Sequence, residues 1–137
     1  MKFFVHPASI EDAVFFDGIV YRSYLIRQIE LGPAWVIGRW GNPRVLSLFG
    51  LAKMDDGSFE AWFVCRPQFV RVLKGAIRHM RDLLAHYGER TPIRCTIKPG
   101  HAPGEKLARL LNFIPTGEIF HAPGTPVDGV QFWRYNP

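Results

Sequence analysis

One segment constrains the fold of this chain more than any other. Phe69, Leu73, Ala76, Ile77, Met80, Leu83, Leu84 and Tyr87 recur at intervals of three and four residues, the spacing that puts side chains on one face of an α-helix. The pattern predicts a single long amphipathic helix, with Gly88 as its C-terminal stop. Arg71, Lys74, Arg78 and Arg81 fall on a different stripe and are expected to face water. A helix with one apolar stripe must bury it against another layer, and the flanking sequence offers strands for that purpose.

Ahead of the helix, Lys2 to His6 reads as a short strand that Pro7 ends, and Ser9-Ile-Glu-Asp12 has capping-box form, so a helix is expected there. Gly18 breaks or kinks it, and Tyr21 to Leu31 resumes a helical pattern on Tyr21, Tyr24, Leu25 and Ile29 until Gly32-Pro33. Ala34 to Trp40, Arg44 to Met54 and Phe59 to Cys65 alternate as strands, with turn residues at Gly41-Asn42-Pro43 and Asp55-Asp56-Gly57. Beyond the helix come a strand at Pro92 to Ile97, a loop over Pro99 to Gly104, a short helix at Glu105 to Leu111, and two strands, Phe113 to His121 and Val130 to Tyr135, around a loop at Ala122 to Gly129. The expected class is α/β: a twisted, mostly antiparallel mixed sheet of about seven strands with helices on both faces, in the order β-α-α-β-β-β-α-β-α-β-β.

At 137 residues the chain has the size of a single domain, residues 1–137, able to bury one core without disulfides or metal. Apolar residues at 47% and charged residues at 21% argue against disorder. Trp35, Trp40, Trp62 and Trp133 all fall in predicted strands and are assigned to core packing, with a stacking surface as the lesser use. No apolar run is long enough to span a membrane, and acids stand where a signal peptide would be apolar, so a cytoplasmic location is expected. Cys65 and Cys95 lack zinc-ligand spacing and read as buried, reduced thiols; no metal site is expected. Charge is uneven. From Arg66 to Leu110 ten Lys or Arg face three acids, a net of +7 within a chain of +5. Such a half attracts polyanions, either a cofactor's phosphates or a nucleic-acid backbone.

The element order, the opening His6-Pro-Ala-Ser-Ile-Glu-Asp-Ala13 and the Leu110-Leu-Asn-Phe113 before the last two strands resemble the GNAT superfamily of N-acetyltransferases over nearly the whole length. The middle, from Ala61-Trp-Phe-Val64 through the basic helix to Phe113, is also similar to GNAT-like internal virion proteins of short-tailed phages. The first resemblance implies acetyl-CoA or another acyl-CoA bound between splayed fourth and fifth strands, and an amine as acceptor. It implies cofactor contacts at Phe63, Val64 and Cys65 on the fourth strand and at Arg71, Lys74, Gly75 and Ala76 beyond it, where the family carries a phosphate-binding loop patterned Arg/Gln-x-x-Gly-x-Gly/Ala. Here Leu73 stands on the central glycine, which obstructs close approach of backbone to phosphate. The alternative is a helix that begins at Pro67 and takes Gly75 inside it.

For chemistry, the resemblance implies a base at Glu60 on the fourth strand. Pro99 to Gly104 replaces the family's asparagine-containing turn without a tyrosine, leaving His101 as the nearby acid/base group. Three functions compete: an acyl-CoA-dependent N-acyltransferase, a catalytically silent GNAT-like phage virion or host-interaction protein, and a module that binds nucleic acid weakly and nonspecifically through its basic helix. For the phage reading the location is the host cytoplasm or the virion. Edge strands also allow a homodimer.

Overall fold

The computed structural model of the protein describes residues 2–41, 43–120 and 129–137. They form two compact units, Met1–Arg78 and His79–Pro137.

The first unit holds β1 (Phe4–Pro7), a 3-10 segment (Ile10–Phe16), α1 (Arg22–Glu30), β2 (Ala34–Gly38), β3 (Val45–Lys53), β4 (Phe59–Cys65), a second 3-10 segment (Pro67–Val72) and the start of α2 (Leu73–Gly88). Its strands lie in the order β1-β2-β3-β4, each antiparallel to the next. β3 runs between two neighbours and is buried along its length except at Lys53, as its near-continuous apolar sequence requires. Along β4 the pleat sends Trp62 to one face and Phe63 to the other. Trp62 joins Ala13, Phe16, Leu25 and Ile29 in a core under the first 3-10 segment and α1, while Phe63 meets Phe69 edge-on at 5.1 Å. Helical segments thus cover both faces of this sheet. The hairpin into β4 closes where Ser58 N–H donates to Asp56 Oδ1 at 2.9 Å.

The second unit holds the rest of α2, β5 (Ile93–Ile97), α3 (Ala102–Leu110), β6 (Phe113–Phe120) and β7 (Val130–Tyr135), with antiparallel strands ordered β5-β7-β6. Met80, Leu84, Ile93, Ala108, Leu111, Phe113 and Trp133 are buried. The Arg109 guanidinium lies 4.9 Å from the Trp133 ring centre, a cation-π contact that fastens α3 to β7.

Seven strands in the expected order, with helical segments between them, make this the α/β class read from the sequence. The apolar stripe of α2 is inside and Arg71, Lys74, Arg78 and Arg81 are outside, as its periodicity demands. Several local readings are corrected. The Ser9 capping box forms, with Ser9 N–H donating to Asp12 Oδ2 at 2.8 Å, but it starts a 3-10 segment that turns out before Gly18, so no α-helix develops there. The long helix is likewise 3-10 up to Val72 and α-helical only from Leu73. Tyr21 is exposed and Tyr24 is half-exposed, because α1 buries Leu25 and Ile29 and the tyrosines lie off that face. Trp40 is 71% exposed: β2 ends at Gly38, so strand alternation no longer aims it at the core. Cys65, the last residue of β4, is also exposed. His121 and nearly all of the predicted loop at Ala122 to Gly129 lie outside the described residues.

Candidate active site

β4 carries four of the residues singled out from the sequence. Glu60 and Val64 share the face of Trp62, where Val64 packs on the core and Glu60 is half-buried. Tyr24 of α1 stands near Glu60. Its phenol is pushed above the usual tyrosine range, first by burial and then by the Glu60 charge, against a hydrogen bond with Gln28 that pulls the other way. A negative charge nearby disfavours the phenolate, which is the direction of this shift. Nothing in the one-dimensional pattern relates Tyr24 to Glu60; the packing of α1 into the same core as Trp62 does. Phe63 and Cys65 point to the opposite face. Burial raises the Cys65 thiol even though solvent reaches it, which keeps it from being a ready nucleophile.

The chain after β4 is tied down by Arg66. Its N–H donates to the Leu46 carbonyl at 2.8 Å, its guanidinium donates to the Phe15 carbonyl, and it lies over the Phe16 ring at 5.6 Å. Pro67, with its fixed φ and no N–H, opens the 3-10 segment, and Phe69 N–H donates back to the Arg66 carbonyl at 3.0 Å. Leu73 N–H donates to the Val70 carbonyl. A donor that a phosphate cradle would need is therefore engaged within the chain itself, and α2 continues directly from the 3-10 segment. Arg71 and Lys74 are exposed, Gly75 is half-buried and Ala76 is fully buried. A Cβ placed on Gly75 would sit 3.0 Å from Phe3 Cζ and closer still to Cε1. The smallness of Gly75 is thus used by an aromatic ring of the same unit. Of the residues read as phosphate contacts, the two cations fit an anionic ligand by charge, and the backbone between them contributes less than a glycine loop would.

In the second unit, His101 is the N-cap of α3: Gly104 N–H donates to His101 Nδ1 at 3.2 Å, and Glu105 N–H donates to its carbonyl at 3.0 Å. This corrects the sequence reading, which left Ala102 to Gly104 in a loop and started the helix at Glu105: α3 begins at Ala102, with Pro103 and Glu105 as the first-turn residues that signal such a start. Glu60 and His101 belong to different units. The second unit also has an open depression lined by Arg81, Glu105, Lys106 and Arg109, where Arg81 Nε donates to the Leu110 carbonyl at 2.6 Å. Among the described residues no group of three His, Cys, Asp or Glu could hold a metal ion, and no helix is long and apolar enough to cross a membrane.

No protein-family model and no curated protein sequence matches the chain. Solved structures do. A putative GnaT-family acetyltransferase from Bordetella pertussis is similar with a TM-score of 0.71 at 15% identity, over 98% of this chain and 96% of the other. An IAA acetyltransferase from Bacillus cereus is similar at 0.70 and 11%, over 98% and 99%. An acetyltransferase from Bacillus subtilis, solved in complex with CoA, is similar at 0.67 and 10%, over 99% of each chain. At such identities the likeness is one of architecture, and from end to end the chain carries the fold of the GNAT acetyltransferases.

Proposed function

We propose that the protein is an acyl-CoA-dependent N-acyltransferase that binds its nucleotide through side-chain charge rather than a glycine-rich loop. The observation that carries this reading is the whole-chain match to acetyltransferases, one of them solved with CoA. Arg71 and Lys74 are the cations that hold the phosphates, and Phe63, Val64 and Cys65 supply the edge of β4 along which the acyl chain lies. Acyl-CoA brings an activated acyl group. Glu60 is the base: half-buried on β4, it accepts at a carboxylate oxygen the proton lost by the acceptor ammonium. Tyr24, on whose phenol the Glu60 charge acts, and Glu30 border an open depression along α1 that offers the acceptor amine a place to bind. His101 serves as a helix cap and positions the chain after β5.

This reading is tested by turnover. Release of free CoA thiol from acetyl-CoA is followed with a panel of primary amines and polyamines. Acceleration by at least one amine, with a loss of about a hundredfold or more in Glu60→Gln, is expected. Amine-independent hydrolysis alone, or a Glu60→Gln variant as active as the parent, overturns it.

A second reading has its own support. Phe3 against Gly75 and the engaged Leu73 N–H are what a silent descendant would show, with its fold retained and its phosphate loop closed. In that case the protein is a structural or host-interaction component of the phage-virion kind, and it binds no acyl-CoA at all.

A further inference from the structure

Trp40 is a large aromatic side chain left 71% exposed, and it is not loose. Its ring lies 5.4 Å from Phe4, tilted by 45°, and the Arg44 guanidinium lies 5.0 Å from the centre of Trp40 and 5.4 Å from that of Phe4. Phe4 in turn stacks on His6 at 5.3 Å and 6°. The group is anchored from below. Phe4 packs against the core under α1, and its ring covers Gly38 so closely that a Cβ there would be 2.5 Å from Phe4 Cζ. Arg39 N–H donates to the Arg44 carbonyl at 2.9 Å, which ties the two chain segments that present Trp40 and Arg44. Charge in this stretch has one sign: no Asp or Glu occurs before Glu11 or between Glu30 and Asp55, whereas Lys2, Arg39, Arg44 and Lys53 do.

A pre-ordered, water-exposed indole beside the Arg44 guanidinium, in a stretch of chain that carries cations and no acids, suits a ligand that has flat π-faces and repeated negative charge together. We propose that this patch, Trp40 with Phe4, His6 and Arg44, is a binding platform for single-stranded nucleic acid, with a base stacked on the open face of Trp40 and its phosphates drawn to Arg44 and Lys2. Duplex lacks an accessible base face, so it engages the cations without the indole. The basic stripe of α2 is a separate feature and is not needed for this contact.

The indole itself reports the contact, because Trp62 and Trp133 are buried and Trp35 is half-buried. A short single-stranded oligodeoxythymidylate titrated into the protein at low salt should quench tryptophan fluorescence. Trp40→Ala should abolish that quenching and weaken binding, followed by anisotropy of a labelled oligonucleotide, about tenfold or more. Trp40→Phe should bind within a few-fold of the parent without the quench, and Arg44→Ala should weaken binding and flatten its salt dependence. At an exposed site none of these changes should lower thermal stability appreciably. Quenching that survives Trp40→Ala, equal quenching by duplex or by heparin, no response at low salt, or a dimer that falls apart in Trp40→Ala while ignoring the oligonucleotide would each overturn the proposal.

Discussion

Replacing Gly75 by alanine separates two explanations of why that residue is small. In an α-helix alanine is favoured over glycine by about 1 kcal/mol, so the substitution should stabilise α2 if nothing else intervenes. Here the new methyl would press into the Phe3 ring, 3.0 Å from Cζ and nearer to Cε1, and overpacking of that kind costs about 1–3 kcal/mol. The expected net effect is a loss of about 0–2 kcal/mol, the difference between those two terms. Removing the ring first changes the sign: in a Phe3→Ala background the same substitution should gain about 1 kcal/mol, because only helix propensity remains. The coupling between the two positions is therefore about 1–3 kcal/mol, read from urea unfolding of the parent, both single variants and the double variant. If Gly75→Ala stabilises the parent as much as it stabilises Phe3→Ala, the ring does not occupy that space and the account of Gly75 given above is wrong.

Two further outcomes follow from the same geometry. His101→Ala should cost about 0.5–2 kcal/mol through loss of the α3 cap, and His101→Asn should restore most of it, as seen in chemical denaturation; equal losses in both would show that the imidazole does more than cap. The Tyr24 phenol should ionise above the free-tyrosine range in a spectrophotometric titration, and Glu60→Gln should bring it back toward that range by removing the negative charge. Since the folded state raises this group, its contribution to stability is complete below the unfolded value and is lost as pH climbs through the folded one. No change in Tyr24 ionisation on Glu60→Gln would separate the two side chains.

How much of this was legible in the sequence depended on whether local pattern or packing decided the outcome. The span Phe59–Cys65 coincides with the observed β4, because alternation between two turns fixes a strand at both ends. The inward stripe of α2 was equally plain. The two 3-10 segments were not: Ser9 with Asp12 and Pro67 at a first turn are start signals common to both helix types, and neither says how tightly the next turn winds. Trp40 was assigned to the core by extending β2 two residues too far. The register shift between Ile37 and Gly38, where Gly38 pairs with Val45, ends the strand and releases the side chain to the surface. Glu60 was found through resemblance, whereas its neighbour Tyr24 could not be. That influence depends on how α1 sits over the sheet, a relation between residues far apart in the chain. The degraded loop was visible as Leu73 in place of glycine, but the role of Gly75 was hidden because its partner, Phe3, lies at the other end of the unit.

Binding of acetyl-CoA to the unmodified protein tests the central claim most directly. Isothermal calorimetry and a thermal-unfolding scan should both detect it, and at ten times the dissociation constant native-state binding adds about 1.4 kcal/mol, which for a chain of this size raises Tm by about 3–5 °C. Charge reversal at Arg71 and Lys74 together should remove both the heat and the shift, while reversal at Arg90 should leave them in place. Neither heat nor thermal shift at millimolar acetyl-CoA would contradict the acyltransferase account and leave the protein as a GNAT fold with its phosphate site closed by Phe3 and Leu73.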